Sequence, residues 1–154
     1  MIYQNFLSKL EGNWMSQTTN YFTNTKKIEY NQSYIELKKV ENISDISKNN
    51  KNMLCNYILY NKNNQIQGYY IFFKDSKSHY GNIKKVTNNQ IDHYIFRIYT
   101  NNCIKIEYVE NDIIYQEYIY FINDRFRITI SLLKKYYKYL SISFISEIKI
   151  LDQK

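Results

Sequence analysis

The stretch that decides the fold runs from Glu117 to Ser131 and reads Glu-Tyr-Ile-Tyr-Phe-Ile-Asn-Asp-Arg-Phe-Arg-Ile-Thr-Ile-Ser. Its alternation predicts two antiparallel strands that meet in a tight hairpin near Asn123-Asp124. Successive side chains of a strand point to opposite faces. One face of the second strand therefore carries a polar set, Arg125, Arg127, Thr129 and Ser131, and the other an apolar set, Phe126, Ile128, Ile130 and Leu132. Such a polar face lies either in water or inside a ligand-binding barrel, and the choice between the two decides the function.

The rest of the chain repeats this pattern of short segments separated by asparagine-rich breaks. Strands are expected from Trp14 onward, over 33–40, and over roughly 53–61, 66–75, 80–87, 92–100, 103–110, 113–122, 125–135 and 139–151. The breaks lie at Asn61 to Asn64, Asn88-Asn89, Asn101-Asn102, Asn111-Asp112 and Asn123-Asp124. Asn and Asp tolerate the left-handed conformation of tight turns, so they substitute for glycine, which occurs only 3 times.

A short helix is expected before the first strand. Over residues 3–10, the side chains of Phe6, Leu7 and Leu10 fall on one helical face, and Gly12 offers a left-handed C-cap.

These segments predict an all-β fold: a lipocalin-like antiparallel up-and-down β-barrel with a short N-terminal helix, in a single domain spanning 1–154. A meander of about eight to ten strands has two exposed edges, and closure into a barrel removes them. The strand from Trp14 mixes polar and bulky residues on both faces, which is typical of an edge or rim strand. A short turn or helix is expected over 42–51. A barrel of this size has room for its own side chains and one small ligand.

Composition narrows the function classes. The formal net charge is +7, but the basic residues are dispersed, so a basic nucleic-acid-binding β-domain is the weaker alternative. The dispersed charge leads us to expect no nucleic-acid partner. No apolar run approaches the roughly 18 residues of a membrane span, and no signal-peptide pattern is present, so we expect no membrane partner. Cys55, Cys103, His79 and His93 lack metal-ligand spacing, so no metal is expected.

Three motifs occur in order along the chain. They are Gly12-x-Trp14-x-Ser16-Gln17-x-Thr19, then Glu117 through Phe121 leading to Arg127 and Ser131, and finally Phe144-x-Ser146-Glu147-Ile148-Lys149. Their order and spacing resemble the CpcS/CpeS-type phycobiliprotein (chromophore) lyases over nearly the whole chain. Members of that family are lipocalin-like barrels with a leading helix, which agrees with the fold predicted from the strand pattern.

The resemblance implies an enzyme that binds a linear tetrapyrrole, a bilin such as phycocyanobilin or phycoerythrobilin, as its substrate and needs no other cofactor. It would attach the bilin through a thioether to a cysteine of an apo-phycobiliprotein. By the resemblance, Arg127 pairs with a bilin propionate and Ser131 hydrogen-bonds nearby, while Glu117 contacts the pyrrole nitrogens and holds the protonated, electrophilic chromophore. The other residues expected to bind substrate are Trp14, Ser16, Gln17, Thr19, Ser146 and Glu147.

The chain departs from the family pattern at four positions. Thr18 and Thr129 stand where the family commonly has Arg, Tyr21 where it has His, and Tyr120 where it has Trp. The loss of the two arginines leaves several alternatives open. Lys or Tyr side chains substitute for them, the site binds another bilin isomer, or the protein works as a homodimer or with a paired lyase subunit. The bias toward Asn, Lys, Ile and Tyr and the missing targeting signal suit a gene carried in an algal plastid genome, so the composition favours a plastid (chloroplast stroma) location.

Two function classes therefore remain beside the nucleic-acid alternative: the bilin lyase, and a noncatalytic lipocalin-like carrier of a tetrapyrrole or fatty acid. The hairpin register offers a test of the first. A two-residue turn at Asn123-Asp124 would pair Tyr120 with Arg127 and leave Glu117 on the opposite face, whereas a three-residue loop or a bulge would bring Glu117 to the Arg127 side. The lyase interpretation requires the second geometry.

Overall fold

The computed structural model describes residues 2–40, 52–76 and 79–151. It contains one α-helix, α1 (Ile2–Leu7), which continues into a 3-10 turn (Ser8–Leu10). The strands of the described chain are β1 (Gly12–Phe22), β2 (Lys27–Lys39), β3 (Met53–Asn61), β4 (Ile66–Lys74), β5 (Tyr80–Val86), β6 (Ile91–Thr100), β7 (Cys103–Glu110), β8 (Ile113–Asn123), β9 (Phe126–Lys135) and β10 (Lys138–Ile150). The turn or helix expected over 42–51 lies outside the described residues.

The strands form a closed antiparallel barrel in which each strand pairs with the next and β1 closes on β10. This confirms the predicted up-and-down barrel with a short N-terminal helix. β1 pairs with β2 on one side and β10 on the other, so the prediction of an edge strand is wrong. Its mixed faces have another cause, because polar side chains point into the barrel as well as out of it. The described residues contain no helix that is long and apolar enough to span a bilayer.

The strand limits agree closely with the asparagine-rich breaks. Asn64 and Asn111 adopt the left-handed conformation expected of them, with φ of 58° and 52°. In the turn between β9 and β10, where the sequence pattern predicts no left-handed residue, Tyr136 and Tyr137 have φ of 49° and 63°. β2 begins at Lys27, six positions before the predicted start, because its exposed first half pairs with β1 through the backbone.

Gly12 is not the left-handed C-cap of the leading helix that the sequence pattern predicts. The 3-10 turn ends at Glu11, which is already extended (φ −64°, ψ 136°), and Gly12 is the first residue of β1 with φ of +139°. The chain therefore passes from the turn into the barrel without a Schellman-type cap.

The β8–β9 hairpin has the geometry that the lyase interpretation requires. Phe121 pairs with Arg127 and Asn123 with Phe126, and a bulge at Ile122 lies between the two pairs. The extra residue shifts the alternation, so Glu117 shares the inner face with Arg127. The bulge also moves the turn to 124–125.

Of the two explanations for the polar face of β9, the structure shows the second: the face lies inside the barrel. The side chains of Arg127, Thr129 and Ser131 are buried, whereas Phe126 and its apolar neighbours on the other face are partly exposed. Arg125 was predicted on the polar face, but it lies in the exposed turn because the bulge removes it from the strand.

One end of the barrel interior is filled by the leading helix. Phe6 is fully buried and packs edge-on against Phe121, with ring centroids 5.3 Å apart. The Tyr57 hydroxyl donates a hydrogen bond to the Leu7 carbonyl oxygen at 2.5 Å, which ties the helix to β3. The apolar face predicted for the helix therefore closes one end of the barrel interior with aromatic side chains.

We expect Gly81→Ala to destabilise the barrel. Gly81 faces Phe96 across the β5–β6 pair, and a Cβ at this position would come closer to the Phe96 ring and the Phe73 carbonyl oxygen than real Cβ atoms do. Overpacking of this kind costs about 1–3 kcal/mol. Thermal unfolding of Gly81→Ala should show a clearly lowered Tm, while Asn82→Ala on the exposed face of the same strand should leave Tm nearly unchanged. Equal Tm values for the two variants would contradict this view of the inner wall.

Candidate functional site

The barrel encloses a cavity of about 480 Å³, within the usual range for small-molecule sites. Its lining is mostly aliphatic and aromatic. The charged side chains that line it are Lys85, Glu117, Arg127 and Glu147. A cavity of this kind can hold an apolar ligand that carries a few polar groups at fixed positions.

Arg127 and Glu147 form a buried ion pair on one wall. The Arg127 Nε and Nη2 atoms donate to the Glu147 carboxylate at 2.9 and 3.2 Å, and the two residues are only 4% and 6% exposed. The Ser16 hydroxyl donates to the same carboxylate at 2.6 Å. Strand register explains the cluster, because Glu147 on β10 pairs with Ser16 on β1 and with Arg127 on β9. The anion that a buried arginine needs is thus supplied by the chain itself.

Trp14 lies behind this pair. The Arg127 guanidinium carbon is 4.0 Å from the centroid of the Trp14 ring system, and the Lys149 ammonium is 4.9 Å from it. The Trp14 indole N–H donates to the Leu10 carbonyl oxygen at 3.0 Å, so the ring is held in place by the leading 3-10 turn. Burial, with a further contribution from Arg127, lowers the pKa of Lys149. Trp14 is fully buried and does not line the cavity; it supports the guanidinium that does.

Glu117 is the carboxyl group on the cavity wall that has no cation bound to it. The Tyr115 hydroxyl donates to Glu117 Oε2 at 2.8 Å, and a second hydrogen bond links that hydroxyl to Ser131 Oγ at 3.3 Å. Burial raises the pKa of Glu117, and the nearby Glu147 carboxylate adds to this, while the Tyr115 hydrogen bond, Arg127 and Lys85 act in the opposite direction. Glu117 therefore retains a proton to higher pH than an ordinary glutamate does.

The structure brings together most, but not all, of the predicted site residues. Ser16, Glu117, Arg127 and Glu147 line the cavity, and Trp14 and Ser131 lie directly behind them. Three predicted residues do not face the cavity: Gln17, Thr19 and Ser146. Because Trp14, Ser16 and Thr18 point inward, the alternation of β1 places Gln17 and Thr19 outside, and Ser146 pairs with Gln17 on that outer face. These three residues are expected from the motifs to bind substrate, but the structure places them outside the cavity lining.

Sequence reasoning missed the wall formed by β4 to β7. Lys85, Tyr70, Tyr94 and Tyr108 line the cavity from this side. Dispersed lysines such as Lys84-Lys85 are typical of a solvated face, so that pattern offered no reason to place Lys85 in the cavity wall. The available signal was its alternation with Ile83, which is buried and points the same way.

The positions that depart from the family pattern divide by face. Thr18 and Thr129 both line the cavity, whereas Tyr21 and Tyr120 lie on the exposed outer face. The two missing arginines would thus have pointed inward, so the interior of this barrel carries fewer cations than the family pattern predicts.

The cysteines are not placed for chemistry on a cavity ligand. Cys55 is buried, and burial raises its thiol pKa to about 12; Cys103 is half-buried, and neither lines the cavity. In the described ranges, no group of three or more His, Cys, Asp or Glu side chains is arranged to hold a metal ion.

Comparisons with known proteins identify a sequence relative that matches almost the whole chain and solved structures with a similar fold. No family model matches the chain. It is 51% identical over 152 residues to a chromophore lyase CpcS/CpeS homolog from Gracilaria tenuistipitata var. liui, a match that covers 99% of this chain and 100% of the relative.

Solved structures agree on the fold. The S-type phycobiliprotein lyase CPES from Guillardia theta superposes with a TM-score of 0.74 at 14% identity, over 99% of this chain and 95% of that one. A protein of unknown function of the DUF3598 family from Nostoc punctiforme superposes with a TM-score of 0.58 at 7% identity, over 94% of this chain and 49% of that one. The full-length identity with the Gracilaria relative, on a barrel of this fold, decides the assignment: the chain belongs to the CpcS/CpeS chromophore lyase family.

Proposed function

We propose that the protein is a phycobiliprotein chromophore lyase that binds a bilin in the barrel cavity and joins it by a thioether to a cysteine of an apo-phycobiliprotein. Membership of the family, the chromophore lyase homolog from Gracilaria and the phycobiliprotein lyase with the same fold support this reaction class. The observation that carries the proposal is Glu117, a carboxyl group of raised pKa held by Tyr115 against the cavity.

The cavity suits a bilin in chemical character. A linear tetrapyrrole combines apolar rings with two carboxylates and a conjugated core that becomes cationic when protonated. The mostly apolar lining accommodates the rings, and the few polar groups among it fix their orientation. The bilin is the substrate, and no other cofactor enters the proposal.

Glu117 would act on the pyrrole nitrogens. A carboxyl group of raised pKa can pass its proton to a pyrrole-type nitrogen beside it, because the ion pair formed by the cationic bilin and the carboxylate offsets the cost of burying the carboxylate. The protonated bilin is more electrophilic than the neutral one. Tyr115 keeps the carboxyl group in position, so Ser131 acts through Tyr115 rather than on the ligand.

The bond-forming step balances without an oxidant or reductant. The acceptor thiol adds, as its thiolate, to a carbon–carbon double bond of the bilin; a C–S bond and a C–H bond form, while the π bond and the S–H bond are lost. The lyase's own thiols do not line the cavity, so the nucleophile comes from the acceptor. The thiol proton is released to solvent when the thiolate forms, and the protonated bilin core supplies the carbon-bound proton.

Arg127 has a more limited part in this proposal than a free arginine would have. Two of its nitrogens are held by Glu147, and its third, Nη1, remains to contact a propionate from the cavity wall. The ion pair as a whole is neutral, so it offers hydrogen bonding rather than net charge.

We infer that the protein works in the plastid stroma. The relative at 51% identity comes from a red alga, and the residue bias of the chain suits an organellar genome. The partner would be an apo-phycobiliprotein subunit made in the same compartment.

The first test follows the absorbance of phycocyanobilin and phycoerythrobilin mixed with the purified protein. The wild type should give a red-shifted, sharpened band with at least one of them, and Glu117→Gln should lose the shift because the amide cannot exchange a proton with the chromophore. Glu36→Gln on the outer face of β2 is the matched control and should behave as the wild type does. Unchanged spectra for both bilins with the wild type would refute the proposal.

Adding apo-phycobiliprotein separates a lyase from a carrier. A lyase should give a chromophore that stays on the acceptor after denaturation, whereas a carrier would bind the same bilin and transfer none. Bound bilin without covalent product would favour the carrier of a tetrapyrrole or fatty acid.

Removing one member of the ion pair should destabilise the protein strongly. Arg127→Ala leaves the Glu147 carboxylate buried without its cation, at a cost of about 3–5 kcal/mol. Arg127→Met combined with Glu147→Gln removes both charges, lets the amide accept from Ser16, and should recover most of the lost Tm. Lys27→Met, which breaks an exposed pair with Glu29, should change little. A double variant no more stable than Arg127→Ala would contradict the charge argument.

The pKa of Glu117 predicts a pH-dependent difference in stability. Because burial raises this pKa, the stability associated with Glu117 is fully present below its unfolded pKa, near 4.5, and is lost as pH rises through the folded pKa. Glu117→Gln, which keeps an acceptor for Tyr115, should therefore have a higher Tm than the wild type at pH 8. That gain should shrink toward zero as the pH falls to about 4.5. A gain that grows on acidification would contradict the raised pKa.

A further inference from the structure

The cavity has a second polar region on the wall formed by β4 and β5, across the barrel from β9. Lys85 on β5 and Tyr70 on β4 line the cavity there. β5 lies four strands from β9 in the ten-stranded order, so Lys85 and Arg127 occupy nearly opposite walls. A ligand that fills the barrel would reach both.

Charge is balanced on one wall and unbalanced on the other. Arg127 is bound in two places by Glu147, whereas Lys85 forms no ion pair with any described residue. Asp92 faces Lys85 across the β5–β6 pair, but it accepts a hydrogen bond from Gln90 instead. Of the two cations that line the cavity, Lys85 is the one that is left to attract an anion.

Tyr70 adds a neutral donor beside this ammonium. The Lys85 Nζ atom lies 5.6 Å from the centroid of the Tyr70 ring, and the hydroxyl of Tyr70 has no hydrogen-bond partner among the described residues. Burial raises the pKa of Tyr70 to about 12, so the hydroxyl keeps its proton at neutral pH. The Glu117 carboxyl group acts electrostatically on both groups, but it is hydrogen-bonded to Tyr115 and to neither of them. Two donors that no carboxylate of the described chain binds match a ligand carboxylate.

We propose that Lys85 and Tyr70 form a carboxylate-binding subsite that takes one propionate of the bilin. The inference rests on the proposed lyase function and adds to it two residues that lie outside the three sequence motifs. A carboxylate placed against the neutral Arg127–Glu147 pair would meet a buried glutamate, whereas one placed against Lys85 meets a cation that has no ion-pair partner among the described residues. Lys85 is therefore the stronger anchor of the two, and it fixes the end of the bilin that lies away from Arg127.

The test compares phycocyanobilin with its dimethyl ester, in which both carboxylates are blocked. Each is titrated into the wild type, Lys85→Met and Lys84→Met, the last being a matched control on the outer face of the same strand. Loss of one charge-assisted pair should weaken binding of the free acid to Lys85→Met by about ten- to a hundredfold. Binding of the ester should be the same for Lys85→Met as for the wild type, and Lys84→Met should match the wild type with both ligands. Tyr70→Phe should show a smaller loss, again with the free acid alone.

Three results would overturn the subsite and leave the lyase proposal standing: equal binding of acid and ester by the wild type, no loss in Lys85→Met, or equal loss for both ligands. The first needs no variant, and Lys85→Gln replaces Lys85→Met if that protein does not fold. A wild type that binds neither ligand refutes the lyase function itself. Palmitate is the competitor that separates the two carboxylate sources, since displacement of the bilin by palmitate only when Lys85 is present would assign the subsite to a fatty acid instead.

Discussion

The site depends on the register of one hairpin. A shift of one residue in strand register turns every side chain to the other face of the sheet. The single extra residue at Ile122 therefore decides whether the Glu117 side chain points into the barrel or into solvent. With the bulge, the acid on β8 and the guanidinium on β9 share one cavity. On the other side of β9, Arg127 pairs with Glu147 of β10, so the cavity side chains of all three strands are aligned through Arg127.

The alternation of apolar and polar residues predicted the barrel, its helix and nearly all strand limits, because asparagine-rich turns separate the strands. It did not decide which face of a strand is inside, because Arg127 with Thr129 on one face and Ile128 with Ile130 on the other fits a solvated sheet equally well. The partner of Arg127 was also out of reach. Glu147 lies 20 positions later, and only the closure of the barrel brings β10 beside β9.

Motif resemblance was a poorer guide to individual side chains than alternation was. Gln17, Thr19 and Ser146 belong to motifs, yet they lie outside because their neighbours at odd spacing lie inside. Lys85 belongs to none of those motifs and lines the cavity. Motif membership reports common ancestry, whereas period-two alternation reports which way a side chain points. Both were needed to locate the site.

Trp14 has a consequence for how the protein can be observed. It is the single tryptophan of the chain, it is fully buried, and both the Arg127 guanidinium and the Lys149 ammonium contact its ring, directly behind the cavity wall. Its indole emission therefore arises from one known place. We expect a chromophore bound in the barrel to quench this fluorophore by energy transfer, because only the cavity wall separates the two. Tryptophan fluorescence would then report whether the cavity is filled.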